Sequence, residues 1–338
     1  MEMALYDPEQ GYYTGQREIG QEGDYYTSAN VHPLFGELLA EKLAGLLRHL
    51  TSGAGRTLIE VGAGSGQLAE DILRHLQKHF PDLFERLTYV ISELGPVFRH
   101  VQQQRLQDFG GVRWAALAEV APESITGIIF SNELIDALPV HRIVRKGEAL
   151  RELYVDWRAG RFMWTLGDVS SEELRQLVSS WEVSLEEGQI AEVNLSAVQY
   201  LRTAATLLRE GFLVTIDYGE VRPRLYSTAR QQGTLRCFYR HMVTENPFER
   251  VGEQDITASV DFTLLMEAGE RVGLQTIEFK SQREFMLEQG LVDRLSGPDL
   301  TGNSSLAQLR SKLAAKHFLL PGAFGDHFKL LIQRKNCG

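Results

Sequence analysis

Short apolar runs and amphipathic segments alternate along most of the chain. The apolar runs are partly β-branched and end in polar residues, which is typical of strands covered on both faces. They are TLIEV (57–61), LTYVISE (87–93), VRWAAL (112–117), GIIFSNE (127–133), GFLVTIDYG (211–219), GLQTIEFK (273–280) and HFKLLIQRK (327–335). Helical spacing of leucines predicts one helix from Pro33 to Leu50 and another from Gln67 to about Phe80. Together these elements predict an α/β fold with an open, mainly parallel seven-stranded sheet and helices on both faces.

Two insertions interrupt this order. The first covers about residues 143–190, and its alternating runs on either side of Ala159-Gly160 predict a β-hairpin. The second covers about residues 219–260 and is rich in loops. Up to residue 240 it holds one acid, Glu220, and five arginines, which are Arg222, Arg224, Arg230, Arg236 and Arg240. We expect an N-terminal loop and helix over residues 1–50, packed on a catalytic domain over residues 51–338 that contains both insertions.

The turn after the first strand carries three glycines. Gly62, Gly64 and Gly66 allow the backbone to turn tightly and to approach a ligand, and the following helix directs free N–H groups to the same place. The dinucleotide fingerprint G-x-G-x-x-G needs a glycine where this chain has Gln67. A zwitterionic amino-acid tail joined to a ribose fits better, with Glu60 holding the ammonium group directly or through water. The alternative is a turn that serves only tight packing.

Two further strand ends offer groups that suit a nucleoside. Glu93 ends the second strand, where one carboxylate can accept hydrogen bonds from both ribose hydroxyls; the alternative is an ordinary solvent-facing acid. Trp114 and Ala115 end the third strand and either flank an adenine ring or belong to the core. The predicted cofactor-binding residues are Glu60, Gly62, Ala63, Gly64, Gly66, Glu93, Leu94, Ala115 and Asn132.

The segment SNELIDALPVHR, at the end of the fourth strand, carries the predicted catalytic acids. If a helical turn begins there, Glu133 and Asp136 face the same side, where they can orient a guanidinium or amine and stabilise its charge. The alternative is that Asn132 caps a short helix that Pro139 ends. Asp217, at the end of the fifth strand, orients neighbouring groups, contacts the substrate or is a turn residue.

Composition narrows the function classes. The 338 residues are 43% hydrophobic, and a net charge of -10 argues against a general nucleic-acid binder. Two cysteines, Cys237 and Cys337, indicate neither a disulfide framework nor a cysteine-based zinc site. The N-terminus shows no targeting segment, and no run reaches the roughly 18 apolar residues of a membrane span. We therefore expect a protein of the reducing cytoplasm, without a membrane span and without a nucleic-acid partner.

The spacing of the nine histidines gives no indication of a metal site. His75 and His79 are four residues apart, but the segment HLQKH that they begin and end lacks the glutamate of a metalloprotease helix. Neither G-x-S-x-G nor a P-loop occurs in the chain. His241, inside the second insertion, is a candidate base or substrate contact, with a structural histidine as the alternative.

Several segments together resemble the MidA-type family of class I S-adenosylmethionine methyltransferases, whose mitochondrial member assists assembly of respiratory complex I. They are ALYDPEQGYYT, GDYYTSANVHPLFGELLAE, LIEVGAGSGQLAEDIL, SNELIDALPVHR, TIDYG and GTLRCFYRHMVTENPFERVGEQDITASVDFTLL. The resemblance implies the Rossmann-like fold of that class and S-adenosyl-L-methionine as cofactor. It implies that the three glycines bind this cofactor, that Glu93 binds its ribose, and that the transfer site is lined by Asn132, Glu133 and Asp136. The insertion that would close over the substrate holds His241, Asp255, Thr257 and Asp261.

The mitochondrial member of this family is associated with arginine methylation of a complex I subunit. For this chain the resemblance therefore implies a protein substrate that is N-methylated on arginine. Two other classes stay open: a catalytically silent assembly factor that retains the cofactor pocket, and a nicotinamide-dependent oxidoreductase, which Gln67 disfavours. The chain departs from the family at Glu93-Leu94-Gly95-Pro96, where an acid, an apolar or small residue and then Ser-Pro are usual.

Overall fold

The computed structural model of the chain describes residues 1–15, 33–51, 55–240, 242–296 and 324–335. The chain divides into two compact units. The sheet unit comprises Tyr26–Leu134, Arg202–Tyr218 and Gly269–Gly338. The insertion unit comprises Met1–Tyr25, Ile135–Leu201 and Gly219–Ala268.

The strands and helices of the described residues alternate as the apolar pattern predicts. The strands are β1 (Arg56–Val61), β2 (Leu87–Ser92), β3 (Val112–Trp114), β4 (Ile125–Asn132), β5 (His141–Lys146), β6 (Ala149–Arg158), β7 (Arg161–Gly167), β8 (Ile190–Val193), β9 (Leu208–Glu220), β10 (Arg236–Tyr239), β11 (Met242–Thr244), β12 (Asp255–Thr257), β13 (Val260–Asp261), β14 (Leu274–Ser281) and β15 (Phe328–Lys335). The helices are α1 (Glu2–Tyr6), α2 (Leu34–Arg48), α3 (Gln67–His79), α4 (Pro81–Phe84), α5 (Pro96–Arg105), α6 (Glu172–Ser179), α7 (Leu195–Leu207), α8 (Arg222–Leu225), α9 (Phe262–Arg271), α10 (Gln282–Glu288), α11 (Leu291–Ser296) and α12 (Phe324–His327).

The sheet unit is built on a mainly parallel sheet. Its strands follow the spatial order β14-β15-β9-β4-β1-β2-β3. Strand β1 pairs in parallel with β2 and β4, and β4 with β9, whereas β15 runs antiparallel to both of its neighbours. The carboxyl ends of β1, β2, β3 and β4 therefore lie at the same edge of the sheet. The predicted mainly parallel α/β sheet is confirmed: the seven expected strands form this order, and β13 adds an eighth strand by pairing with the end of β9.

Both faces of this sheet are covered, as its continuous apolar strands require. The adjacent residues Leu58 and Ile59 of β1 are both fully buried, and so are Ile128 and Ile129 of β4. On one face, helices α2 and α3 contribute a row of buried leucines, alanines and isoleucines to a core cluster that also contains Phe130. A strand with no exposed face must bury both sets of side chains, and this explains why its sequence does not alternate.

The insertion unit contains two small antiparallel sheets. One has the order β7-β6-β5-β8 and the other β11-β10-β12, while β13 pairs with residues 219 and 220 of β9. Strands β6 and β7 form a hairpin, in which Ala159 and Gly160 take positive φ angles of 50° and 77°. Two such residues between paired strands match the twist of a hairpin, so the hairpin predicted from the sequence is confirmed.

Some local expectations are corrected by the structure. The third strand ends at Trp114 rather than Leu117, and residues 2–6, which were expected to be part of a loop, form α1. The second insertion contains β10, β11, β12 and α8 rather than mainly loops. Residues 16–30 of the predicted N-terminal loop lie outside the described part of the chain.

Candidate functional site

The three glycines between β1 and α3 differ in what surrounds them. All three have positive φ angles: 72° at Gly62, 52° at Gly64 and 75° at Gly66. A Cβ atom at Gly62 would lie 2.9 Å from Leu134 Cδ1, and one at Gly66 would lie 3.2 Å from Gln102 Cγ. At Gly64 a Cβ atom would meet nothing within 4 Å. Gly62 and Gly66 thus serve close packing, whereas Gly64 borders open space where a ligand can approach the backbone.

Glu60 is a buried acid at the base of this turn. Its carboxyl group is 2% exposed and accepts a hydrogen bond of 2.6 Å from the hydroxyl of Tyr89, on the neighbouring strand. Burial raises the pKa of Glu60 to about 7, against the lowering effect of the Tyr89 hydrogen bond, and the charge of Glu93 raises it further. A cationic group beside Glu60 would favour its ionised form. The site is therefore suited to an ammonium group.

Glu93 directly follows β2 and is half-buried rather than facing solvent. Its two carboxylate oxygens accept hydrogen bonds from Gly95 N (2.9 Å) and from Gln102 Nε2 (3.1 Å). Burial raises the pKa of Glu93, and the hydrogen bonds from Gly95, Gln102 and the backbone of Gly64 oppose that rise. The carboxylate at the end of β2 is thus held in place beside the glycine turn.

The other two predicted cofactor residues of this edge lie next to strand ends. Leu94 follows Glu93 and is 75% exposed. Ala115 follows β3, and its N–H donates to Ile91 O at 3.1 Å. The indole N–H of Trp114 donates to Gln102 Oε1 at 3.0 Å, and its ring packs against the core cluster, so this tryptophan belongs partly to the core.

The segment after β4 does not form the helical turn that the sequence left open. Asn132 is the last residue of β4, and Glu133 follows with a φ angle of 54°, which is uncommon for a residue with a side chain. The N–H of Glu133 donates to Ile216 O at 2.9 Å, and Asn132 Nδ2 donates to its carboxylate at 3.1 Å. Asn132 therefore orients Glu133 and caps no helix. Strained backbone of this kind often occurs at functional sites.

Asp217 of β9 is fully buried. Its carboxylate accepts hydrogen bonds from the backbone N–H groups of Leu134 (3.2 Å) and Tyr218 (2.9 Å). Of the roles that the sequence allows, this geometry favours the one in which Asp217 orients neighbouring groups. It connects the segment after β4 to the end of β9.

Asp136 and His241 complete the set of predicted catalytic residues. Asp136 belongs to the insertion unit, where it is buried and its carbonyl accepts a hydrogen bond from Ala258 N at 2.9 Å. His241 lies outside the described residues. Within residues that the structure does describe, no cluster of three or more histidine, cysteine or acidic side chains is placed to hold a metal ion.

The sequence does not identify two residues that contact the predicted site, Tyr89 and Gln102. Tyr89 lies inside an apolar strand and Gln102 inside a helix, and neither position differs in pattern from ordinary core or surface residues.

Comparison with known proteins finds a matching family and several similar proteins. The sequence profile of a family described as S-adenosyl-L-methionine-dependent methyltransferases matches residues 38–280. The mitochondrial protein arginine methyltransferase NDUFAF7 homolog of Drosophila melanogaster is 26% identical over 375 residues, covering 97% of this chain and 82% of its own. NDUFAF7 of Danio rerio is 26% identical over 368 residues, covering 97% and 81%.

Among solved structures, a COG1565 superfamily member of Burkholderia thailandensis is similar over 98% of this chain and 86% of its own. It has a TM-score of 0.87 and 30% sequence identity, and it was crystallised with S-adenosyl-homocysteine. A second crystal structure of a COG1565 superfamily protein from the same organism, described as native, has a TM-score of 0.85 at 30% identity. The similarity therefore extends over nearly the whole chain.

Proposed function

The chain belongs to the family of S-adenosyl-L-methionine-dependent methyltransferases, and from this premise we propose that it N-methylates an arginine side chain of a protein. The NDUFAF7 relatives are named protein arginine methyltransferases, and the alignment with two of them covers 97% of this chain. This naming supports a protein as the substrate. A subunit of a respiratory complex I type assembly is the specific acceptor that the resemblance suggests.

The residues at the sheet edge fit the cofactor. Open space borders Gly64, and the carboxyl groups of the buried Glu60 and the half-buried Glu93 make no ion pair with a lysine or arginine among the residues described. In this proposal Glu60 holds the ammonium group, Glu93 holds the ribose hydroxyls, and Ala63, Leu94 and Ala115 line the space between. When bound, the cofactor supplies an electrophilic methyl group on a sulfonium.

In this proposal the carboxylate of Glu133 binds the methyl acceptor, which is the guanidinium group of the substrate arginine. It can accept charge-assisted hydrogen bonds from the guanidinium, aligning the attacking nitrogen and stabilising its positive charge. Asn132 and Asp217 position it through the contacts described above. Catalytic roles for Asp136 and His241 stay predictions from the family resemblance.

We test the proposal by incubating the protein with methyl-labelled S-adenosyl-L-methionine and a cell lysate, followed by mass spectrometry of labelled proteins. The expected result is label on arginine. The Glu133→Gln variant should lower turnover about 100-fold while leaving cofactor affinity within about threefold, because the lost charge acts on the acceptor. Equal losses of turnover and affinity would move Glu133 into the cofactor site.

A second candidate function is an assembly factor that binds the cofactor without catalysis. The observation in its favour is a face of the β6–β7 hairpin with exposed apolar side chains, among them Trp157 (59% exposed) and Leu166 (47%). Such faces commonly contact other proteins. Cofactor binding without any label transfer to lysate proteins would favour this function.

Cellular location and membrane association are separate questions. The NDUFAF7 relatives are named as mitochondrial, and the reducing cytoplasm stays our proposal for this chain. Fluorescence microscopy of the tagged full chain in its host would decide it. Over the part of the chain that the structure describes, no helix is long and apolar enough to cross a bilayer.

A further inference from the structure

Gln102 is the one buried residue of helix α5, and its side chain is fully enclosed. Its amide makes three hydrogen bonds. Nε2 donates to Gly64 O at 2.8 Å and to Glu93 Oε2 at 3.1 Å, and Oε1 accepts from Trp114 Nε1 at 3.0 Å. A buried amide is costly unless it is hydrogen-bonded, so these contacts indicate a defined role at this position.

The three partners belong to three different strand ends. Gly64 lies in the turn after β1, Glu93 follows β2, and Trp114 ends β3. The backbone of the glycine turn also approaches Gln102 closely, since a Cβ atom at Gly66 would lie 3.2 Å from its Cγ. One side chain thus connects the segments that carry the proposed contacts to the ribose, the adenine and the tail of the cofactor.

The hydrogen-bonding groups of the three partners require a side-chain amide at this position. Two partners are acceptors, a carbonyl and a carboxylate, and the third is an indole N–H donor. Only an amide offers two N–H donors at one end and an acceptor oxygen at the other. Glutamate lacks the donors, and methionine, which has a similar length, lacks both functions. The same argument fixes the orientation of the amide.

We propose that Gln102 is a positioning residue of the methyl-donor site, which holds Glu93 and the glycine turn in their binding geometry. This inference rests on the proposed function, because it takes the same sheet edge as the donor site. Gln102 contacts neither acceptor nor reacting atoms in the proposal. Its loss should therefore weaken binding of the donor and leave the transfer step largely intact.

The test compares Gln102→Met with Gln103→Met. Gln103 is the exposed neighbour on the same helix, so the control makes the same substitution without touching the strand ends. By calorimetry with S-adenosyl-homocysteine, the Gln102 variant should bind about 10- to 50-fold more weakly than the wild type, and the control within about twofold. In methyl transfer, KM for S-adenosyl-L-methionine should rise by the same factor, with kcat within about threefold.

A second variant, Gln102→Glu, keeps the inference testable if the methionine variant does not fold. At high pH it places a second carboxylate against Glu93, and at lower pH its protonated form donates an O–H to Glu93 again. The ratio of variant to wild-type Kd for S-adenosyl-homocysteine should therefore fall between pH 8 and pH 6. A purely structural role for Gln102 would not produce this pH profile.

The outcomes separate the inference from the function on which it rests. If the wild type binds S-adenosyl-homocysteine and the Gln102→Met and Gln102→Glu variants bind it equally well, the inference is wrong and the proposed function stands. If the wild type binds it but transfers no methyl group, catalysis is refuted, and the loss of binding in the variants still supports the inference. If the wild type does not bind it, both are overturned.

Discussion

Two regions of this protein hold acidic side chains away from solvent, and they differ in the groups that contact the carboxylates. In the insertion unit, Arg222 is 4% exposed; its Nε donates to Asp261 at 2.8 Å and its two terminal nitrogens donate to Glu267 at 2.9 and 3.0 Å. At the edge of the sheet unit, Glu60 and Glu93 make hydrogen bonds to neutral groups only, among the contacts of described residues.

The pKa values of Asp261 and Glu60 are both raised, but the causes of the two shifts reflect this difference. Burial raises the pKa of Asp261, but the charge and hydrogen bond of Arg222 oppose the rise. The pKa of Glu60 rises to about 7 through burial, and the nearby charge of Glu93 adds to the rise. Removing the cation of a buried ion pair leaves an uncompensated charge and destabilises the fold, whereas acids held without a cation are suited to a cationic ligand. The comparison therefore separates a charge cluster that is ion-paired within the chain from the acids of the proposed cofactor site.

The largest expected effect is on folding stability, at the ion-paired cluster of Arg222, Asp261 and Glu267. Arg222→Leu should lower the free energy of unfolding by about 3–5 kcal/mol, because it leaves Asp261 buried without its cation. The control is Arg224→Leu on the same helix, whose side chain is 77% exposed and only 3.7 Å from Glu220. That change should stay within about 0.5 kcal/mol. Urea unfolding measures both, and equal stability of the two variants would contradict the structural role of the cluster.

The next effect concerns the open space at Gly64. Gly64→Val should weaken S-adenosyl-L-methionine binding about 1,000-fold, or ~4 kcal/mol, because the new side chain fills the space that the ligand needs. A matched control is Gly147→Val in the turn between β5 and β6, where φ is 61° and a Cβ atom also meets nothing within 4 Å. Both changes carry similar backbone strain of about 1–2 kcal/mol. Normal calorimetric affinity in the Gly64 variant would remove the turn from the site.

The smallest of the three effects is a pH dependence of stability. The pKa of Glu60 is about 7 in the folded chain and 4.5 as its ordinary value, so folding favours the protonated acid. Its contribution is present in full below pH 4.5 and is lost as pH rises through 7, by up to about 3 kcal/mol.

The Glu60→Gln variant isolates this contribution. The difference in unfolding free energy between wild type and variant should fall between pH 5 and pH 8 and then level off, because glutamine does not titrate. Saturating S-adenosyl-L-methionine should reduce the slope, since its ammonium group lowers the pKa of Glu60. A difference that stays constant with pH would show that Glu60 is an ordinary acid.

The arginine-rich insertion shows why charge counts along the sequence mislead. Up to residue 240, a count of five arginines and one acid suggests a basic surface. The structure buries Arg222 between Asp261 and Glu267, and it pairs Arg236 with Glu245 at 3.6 Å. Asp261 and Glu267 follow Arg222 by 39 and 45 residues and lie beyond the insertion, so a count of its charges omits them.

The sequence by itself determined the seven strands of the central sheet, the helices on either side of β1, the glycine turn and the positions of the acids at strand ends. These features depend on side-chain periodicity and on backbone angles that glycine adopts readily, and both are local properties. The tertiary structure alone decided which of these groups share contacts. The tyrosine hydroxyl on Glu60, the amide that connects three strand ends and the backbone N–H of Leu134 on Asp217 come from positions 9 to 83 residues away from their partners. Only chain folding brings such partners within hydrogen-bonding distance, so no pattern in the sequence records them.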